Sequence, residues 1–288
     1  MNDAIPKLLE QLDREAYVAD PAIATSLHLA LQLRKPLLVE GHAGVGKTEI
    51  AKVLARMLGT DLIRLQCYEG LDASTALYEW NYPRQLLQIR LQESGAEPAD
   101  IFGESFLLKR PLLQAIAHGG KAPVLLVDEI DRSDEEFEAF LLEVLSDFQV
   151  TVPEIGTIAA KERPHVVLTS NRSRELSDAL RRRCLYLFID YPPFDKELAI
   201  VHRKVPGASD ALAQQIVGFV QVLRRAKLSK TPGISETLDW AQALVTLHAA
   251  HLSAALVEET MGCFLKDETD LRKVKAELQA GRIPLDAA

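Results

Sequence analysis

The octapeptide GHAGVGKT, Gly41 to Thr48, constrains this chain more than any other stretch. It has the form G-x-x-x-x-G-K-[ST] and lies between a short apolar run, PLLVE, and a helical pattern, TEIAKVLARML. Glycines in such a loop let successive backbone N–H groups turn inward around an anion, and the following helix adds its positive N-terminal end. The lysine reaches β- and γ-phosphates, and the adjacent hydroxyl suits Mg²⁺. Gly41, His42, Ala43, Gly44, Val45, Gly46, Lys47, Thr48 and Glu49 are therefore candidates for holding nucleotide phosphates. A loop of this kind works only between a strand and a helix, which commits the chain to an α/β fold.

The rest of the pattern agrees. DLIRLQC, APVLLVDEID, HVVLTSN and CLYLFID read as further strands separated by helices, the signature of a largely parallel sheet covered on both faces. Asp20 and Pro21 suit the start of a helix whose Ile23, Leu27, Ala30 and Leu31 share one face. SDEEFEAFLLEVLSDF predicts a helix opened by a Ser133–Glu136 capping box, with Phe137, Phe140, Leu141, Val144, Leu145 and Phe148 as its buried stripe. Asp134, Glu135, Glu136 and Glu138 there read as a complement to the helix dipole and a solvated face. QVTVPEIGTIAA alternates like a hairpin turning near Gly156. Between Tyr68 and Gly120 the pattern is poor, with a break at 94–98. Tyr78, Trp80 and Tyr82 stand there at strand-like spacing, either gripping a client polypeptide or packing their own segment.

After YPPFD at 191–195 the strand signals stop. Leu212, Ile216, Phe219, Val220 and Leu223 mark one amphipathic helix, and SETLDWAQALVTLHAAHL a second. The expected division is an α/β nucleotide-binding domain over 1–190 and a small helical domain over 191–288. His248 and His251 are a helical turn apart, but no carboxylate or thiol accompanies them as a metal set.

Two further motifs carry chemistry. Asp128 and Glu129 end the apolar strand VLLV; the first is placed to hold Mg²⁺ through water and the second to polarise an attacking water. Asn171 ends the next strand, where it can bond a γ-phosphate and orient that water. Gln66, at the end of another strand, can sense Glu129. No N-K-x-D or L-S-G-G-Q occurs, which argues against a guanine-specific GTPase and an ABC-type ATPase.

A formal net charge of −8 argues mildly against a chain that coats nucleic acid. No uncharged apolar stretch reaches the roughly 18–20 residues of a membrane span, and the first residues have no secretory pattern. Cys67, Cys184 and Cys263 form no zinc or CxxC pattern and read as buried thiols, so the expected setting is the cytoplasm.

With these elements in this order, and RRRC at 181–184 about ten residues after Asn171, the chain resembles an AAA+ ATPase. The resemblance implies ATP and Mg²⁺ as ligands, with Thr48 and Asp128 toward the metal and Glu129 and Asn171 toward the water. It implies that Arg183, or next Arg182, is an arginine finger entering a neighbouring subunit's site. The fold implied is a P-loop NTPase (AAA+) parallel-sheet core with a helix-2 insert after Gln66, a pre-sensor 1 hairpin at 149–160 and a C-terminal helical lid.

Those insertions resemble the MoxR family. GHAGVGKTEIAKVLA and PGISETLDWAQAL resemble its branch associated with assembly of carbon monoxide dehydrogenase and related molybdenum hydroxylases. Members form ring oligomers, usually hexamers, beside a protein with a von Willebrand A domain. That partner's D-x-S-x-S site is absent here, so it would be a separate chain. One departure stands out: Glu236 and Thr237 occupy positions where the family's lid has proline and a nucleotide-sensing arginine. Arg224 and Arg225 are candidates to replace it.

The expected function is Mg²⁺-dependent ATP hydrolysis driving remodelling or maturation of a client metalloenzyme. Two alternatives belong to other classes. One is a nucleotide-gated binding module with negligible hydrolysis. The other is a nucleic-acid remodeller, against which stands a hairpin 149–160 carrying Glu154 and no Lys or Arg.

Overall fold

The computed structural model describes residues 3–94 and 100–285. Its described strands are β1 (Leu37–Gly41), β2 (Leu62–Gln66), β3 (Tyr78–Trp80), β4 (Leu107–Lys109), β5 (Val124–Asp128), β6 (Gln149–Val152), β7 (Gly156–Ala159), β8 (His165–Ser170) and β9 (Leu185–Ile189). The chain forms two compact units. One comprises the described residues up to Leu8, Pro21–Glu40 and Thr48–Phe188. The other comprises Leu9–Asp20, Gly41–Lys47 and the described residues from Ile189 onward.

The first unit is built on a five-stranded sheet in the order β2-β5-β8-β1-β9. β2 with β5, β5 with β8 and β8 with β1 pair in parallel. β1 and β5 are buried along their whole length, which is why LLVEG and VLLVD read as continuous apolar runs rather than as alternation. β9, at the edge, alternates: Leu187 and Ile189 are buried, Tyr186 and Phe188 exposed. Leu38, Leu125, Val127, Val166 and Leu168 from the strands join Phe137, Leu141 and Leu145 in one core. Gln66, Asp128 and Ser170 all fall at carboxyl ends of strands, the edge where open α/β sheets bind ligands.

The expected helix forms over Pro21–Leu33, with Ile23 and Leu27 of its expected face buried and Ala30 and Leu31 half-buried, and the expected hairpin forms where β6 pairs with β7 next to Gly156. The expected capping box does not form. The helix Glu135–Asp147 is capped by Asp134, whose Oδ1 accepts from the Phe137 N–H at 2.8 Å. Ser133 is drawn instead into the turn before it and donates to the Ile130 carbonyl at 2.8 Å. Glu138, read as solvated, is fully buried; it pairs with Arg174 and accepts the Ser177 N–H at 2.9 Å. Its partners lie some 40 residues on, so no local pattern marks it.

β3 and β4 form an antiparallel ribbon. Tyr78 and Trp80 follow their strand-like spacing, and Trp80 is buried with Phe106, Leu107, Leu113 and Val152. Tyr82 does not continue it. Asn81 caps a helix at that point by accepting the Arg84 N–H at 3.1 Å, and Pro83 suits its first turn. The helix Tyr82–Glu93 exposes Tyr82, Leu86, Leu87 and Leu91. Beyond Ser94, the break expected at 94–98 lies outside the described residues.

In the second unit the described elements after Ile189 are all helical. Leu212, Ile216, Phe219, Val220 and Leu223 are buried as their spacing predicts, around Trp240 and Phe264, whose rings lie 4.3 Å apart between centroids. The helix containing Trp240 spans Ile234–Thr246, so His248 and His251 lie past its end. Among the described residues no group of three or more His, Cys, Asp or Glu is arranged to hold a metal ion.

A buried ion pair fixes this helical unit. Glu197 is fully buried and accepts from both Nη atoms of Arg224, at 2.6 and 2.7 Å. Thr237 and Gln221 each add a hydrogen bond to it at 2.8 Å. Removing one member of such a pair leaves an uncompensated buried charge, which costs about 3–5 kcal/mol. Arg224→Ala should therefore lower the urea midpoint sharply. The double variant with Glu197→Ala should lose much less than the sum of the two single losses, and additive losses would refute the pairing.

Candidate nucleotide site

In the first unit the chemistry gathers where β2, β5 and β8 end. Thr48 opens this unit's share of the helix Lys47–Leu58, and its Oγ1 donates to Asp128 Oδ1 at 3.1 Å. Thr169 Oγ1 donates to the same oxygen at 2.5 Å and accepts the Glu129 N–H at 2.9 Å. The other oxygen, Oδ2, receives Arg64 through Nε at 2.9 Å and Nη2 at 2.5 Å. Asp128 is thus almost wholly buried, with both oxygens satisfied.

Glu129 sits in the left-handed region, φ 55° and ψ 49°. That backbone is uncommon for a residue with a side chain and concentrates at functional sites. It turns the carboxylate toward three donors: Asn171 Nδ2 at 3.2 Å, Gln66 Nε2 at 3.0 Å and Arg132 Nε at 3.1 Å. Asn171 is placed in turn by Asp131, which accepts its backbone N–H at 3.1 Å, the Ser173 N–H at 2.8 Å and the Ser173 O–H at 2.7 Å. Burial raises the Asp131 carboxyl, but the bonds from Ser173 and Asn171 outweigh it and hold the group below the usual range. Behind them, burial, with Asp128, Asp131 and Glu129 adding, pushes the Cys67 thiol up to about 12. It is an inert thiol.

The phosphate-loop residues Gly41–Lys47 belong to the second unit. Lys47 Nζ donates to the Gly41 and His42 carbonyls at 2.9 and 2.6 Å. A Cβ on Gly41 would stand 2.1 Å from the Ile189 carbonyl oxygen, so that close approach requires glycine. Gly44 has φ +74°, and a Cβ there would meet Ser235 Oγ and Glu236 Oε2 at 2.9 Å. Ser235 donates its N–H and its hydroxyl to the Gly44 carbonyl, each at 3.2 Å. The helix Ile234–Thr246 therefore begins on the loop itself. Glu236 closes that start by accepting the Gly233 N–H at 2.9 Å. His42 stacks on Tyr191, 4.6 Å between centroids and 10° from parallel, and Arg224 lies over Tyr191 at 4.9 Å.

Thr237, standing where a lid arginine was expected, is buried and bonds Glu197. Arg224 Nη2 reaches its hydroxyl at 3.3 Å, but that guanidinium is committed to Glu197. Arg225 is exposed at the helix end.

The three arginines close a short helix, Asp178–Arg183. Arg181 approaches the buried Glu40 at 3.6 Å and lies over Tyr186. Arg182 pairs with Asp178 at 3.8 Å and is 82% exposed. Arg183 donates to the Leu142 carbonyl at 3.0 Å and Ser146 Oγ at 2.7 Å. Sequence reasoning missed Arg64, Thr169 and Asp131. Arg64 and Thr169 left a trace, each on a strand two residues before a candidate, Gln66 or Asn171.

The chain is 26% identical over 236 residues to an uncharacterized protein of Staphylococcus haemolyticus, spanning 80% of this chain and 82% of that one. It is 25% identical over 235 residues to one of Staphylococcus saprophyticus, at 79% and 82%. Among solved structures, a mutant of Thermotoga maritima RuvB superposes with a TM-score of 0.53 at 20% identity, covering 92% of this chain and 77% of that one. The Thermotoga maritima RuvB Holliday junction branch migration motor gives 0.50 at 19%, covering 95% and 76%. At such identity these structures share the fold. The profile of the ATPase family associated with various cellular activities matches residues 37–190, more than half of the chain, and the chain belongs to that AAA family.

Proposed function

We propose that this protein hydrolyses ATP with Mg²⁺ in a ring of identical subunits and uses the cycle to remodel or mature a client metalloenzyme. The observation that carries the reading is the convergence of Thr48, Asp128, Glu129 and Asn171 on one end of the sheet. A hydroxyl and a carboxylate oxygen 3.1 Å apart are hard donors of the type Mg²⁺ takes from proteins, which leave its remaining positions to water and phosphates. They fit that metal, which when bound neutralises charge on the phosphates. Thr48 and Asp128 would hold it. Lys47 Nζ would exchange its two carbonyls for phosphate oxygens, and Glu129 and Asn171 would orient the water.

The finer reading is a MoxR-type ATPase, working in the cytoplasm as a hexamer beside a von Willebrand A domain protein, with 1–190 as the nucleotide domain and 191–288 as the lid. The insert and hairpin named in the sequence support it. So do Tyr82, Leu86, Leu87 and Leu91, large apolar side chains exposed on the insert helix and able to meet a client polypeptide.

The test is ATP binding and hydrolysis by the wild type and Lys47→Ala, with and without Mg²⁺. The wild type should bind ATP more tightly with the metal and turn it over only with it, and Lys47→Ala should bind at least tenfold more weakly. Binding without turnover at any protein concentration would instead favour a nucleotide-gated module, a state in which Glu129 stays tied to Gln66 and Arg132.

A further inference from the structure

Arg64 is the one cation that contacts Asp128 among the described residues, and the proposed metal chemistry does not use it. It stands on β2 two residues before Gln66, whose register partner on β5 is Asp128, so the three side chains share one face of the sheet. Its guanidinium takes Asp128 Oδ2 through two N–H groups and the Gln66 Oε1 through one. The Gln66 amide can face only one way here, oxygen to the cation and nitrogen to Glu129. The guanidinium is therefore anchored twice. Yet its side chain is 51% exposed, against 4% for Asp128, so it can leave for water while the carboxylate cannot.

We infer that Arg64 is a resident countercharge for Asp128, which competes with Mg²⁺ for that carboxylate and must be displaced when the metal arrives with nucleotide. The inference rests on the proposed Mg²⁺-ATP reading. Its physical basis is simple. Asp128 is buried, and with Oδ1 occupied by Thr48 and Thr169 a carboxylate left with a bare Oδ2 would be an unpaired buried charge. The Arg64 guanidinium satisfies it. The same bonds then oppose the metal, because the guanidinium on Oδ2 draws on the carboxylate charge whose Oδ1 would face Mg²⁺, and the two cations repel across it.

The experiment compares ATP dissociation constants in Mg²⁺ and in EDTA, by calorimetry on the full chain. Displacement is needed only with the metal, so the EDTA-to-Mg²⁺ ratio isolates the competition. Removing charge-assisted bonds at a half-exposed guanidinium should raise that ratio about three- to tenfold in Arg64→Ala. Arg64→Gln, which keeps a donor for Asp128 and serves if the alanine variant does not fold, should raise it too. Arg64→Lys should remain near the wild type. A ratio unchanged or lowered in both neutral variants overturns the inference while leaving the nucleotide reading intact. A wild type that binds no ATP in either condition overturns that reading and this inference together.

Discussion

Alanine at Arg182 or Arg183 should lower ATP turnover about 10³–10⁵-fold while leaving nucleotide affinity nearly unchanged, the range measured for arginine fingers supplied by a neighbour. The magnitude separates this role from the bland one. Arg183 holds a carbonyl and a hydroxyl in the last turns of Glu135–Asp147, where a cation is worth about 0.3–1 kcal/mol to the helix. Arg182 pairs with Asp178 on a fully exposed face, where such pairs contribute about as little. Neither structural duty approaches the roughly 4–7 kcal/mol that a 10³–10⁵-fold loss represents. The measurement is turnover per protomer across a wide range of protein concentration. Wild-type activity should climb as subunits meet, and the variant that carries the finger should stay flat. If both variants keep wild-type activity and its concentration dependence, the cluster is a surface patch. Arg181, already facing Glu40, is the less suitable candidate to reach a neighbour.

Glu129→Gln should reduce turnover about 10²–10⁴-fold, the usual contribution of a positioned general base, without weakening ATP binding. The exchange is nearly isosteric. A glutamine carbonyl can still accept from Asn171, 3.2 Å away, so the geometry that places Asn171 survives. What disappears is the charge that polarises water. This carboxylate is engaged by Gln66, Arg132 and Asn171, so it must exchange partners before it can act. Single-turnover mixing under saturating Mg²⁺-ATP reads the chemical step directly. Near wild-type rates in Glu129→Gln would remove it from the proposed base role and leave Asp131 as the next carboxylate to try, held ionised by Ser173 and Asn171.

Much of the site was legible because its parts obey local rules. A phosphate loop needs its glycines in sequence. Asp128, Glu129 and Asn171 each follow a continuous apolar run, which is how a doubly covered strand reads, and each falls where that strand reaches the ligand edge. Gln66 was found in the same way, and its amide does lie 3.0 Å from Glu129. The errors came where a competing local signal or a neighbour distant in sequence decided the outcome. Ser133 looks like an N-cap, yet Asp134 caps the helix because the turn before it claims the serine hydroxyl. Glu138 looks solvated, yet Arg174 draws it into the interior. Tyr82 fits a strand by spacing, yet Asn81 and Pro83 start a helix there.

By itself the sequence determined the parallel α/β core, the hairpin at 149–160, the helical C-terminal region and the candidate residues at the strand ends. Hydrophobic period and motif spacing are written residue by residue along the chain. Tertiary structure alone decided which charges meet. It gave Asp128 to Arg64, Arg224 to Glu197 and Arg181 to Glu40, pairs separated by 64, 27 and 141 positions. Electrostatic partnership depends on distance in space and on burial, and neither can be read from neighbours in a sequence.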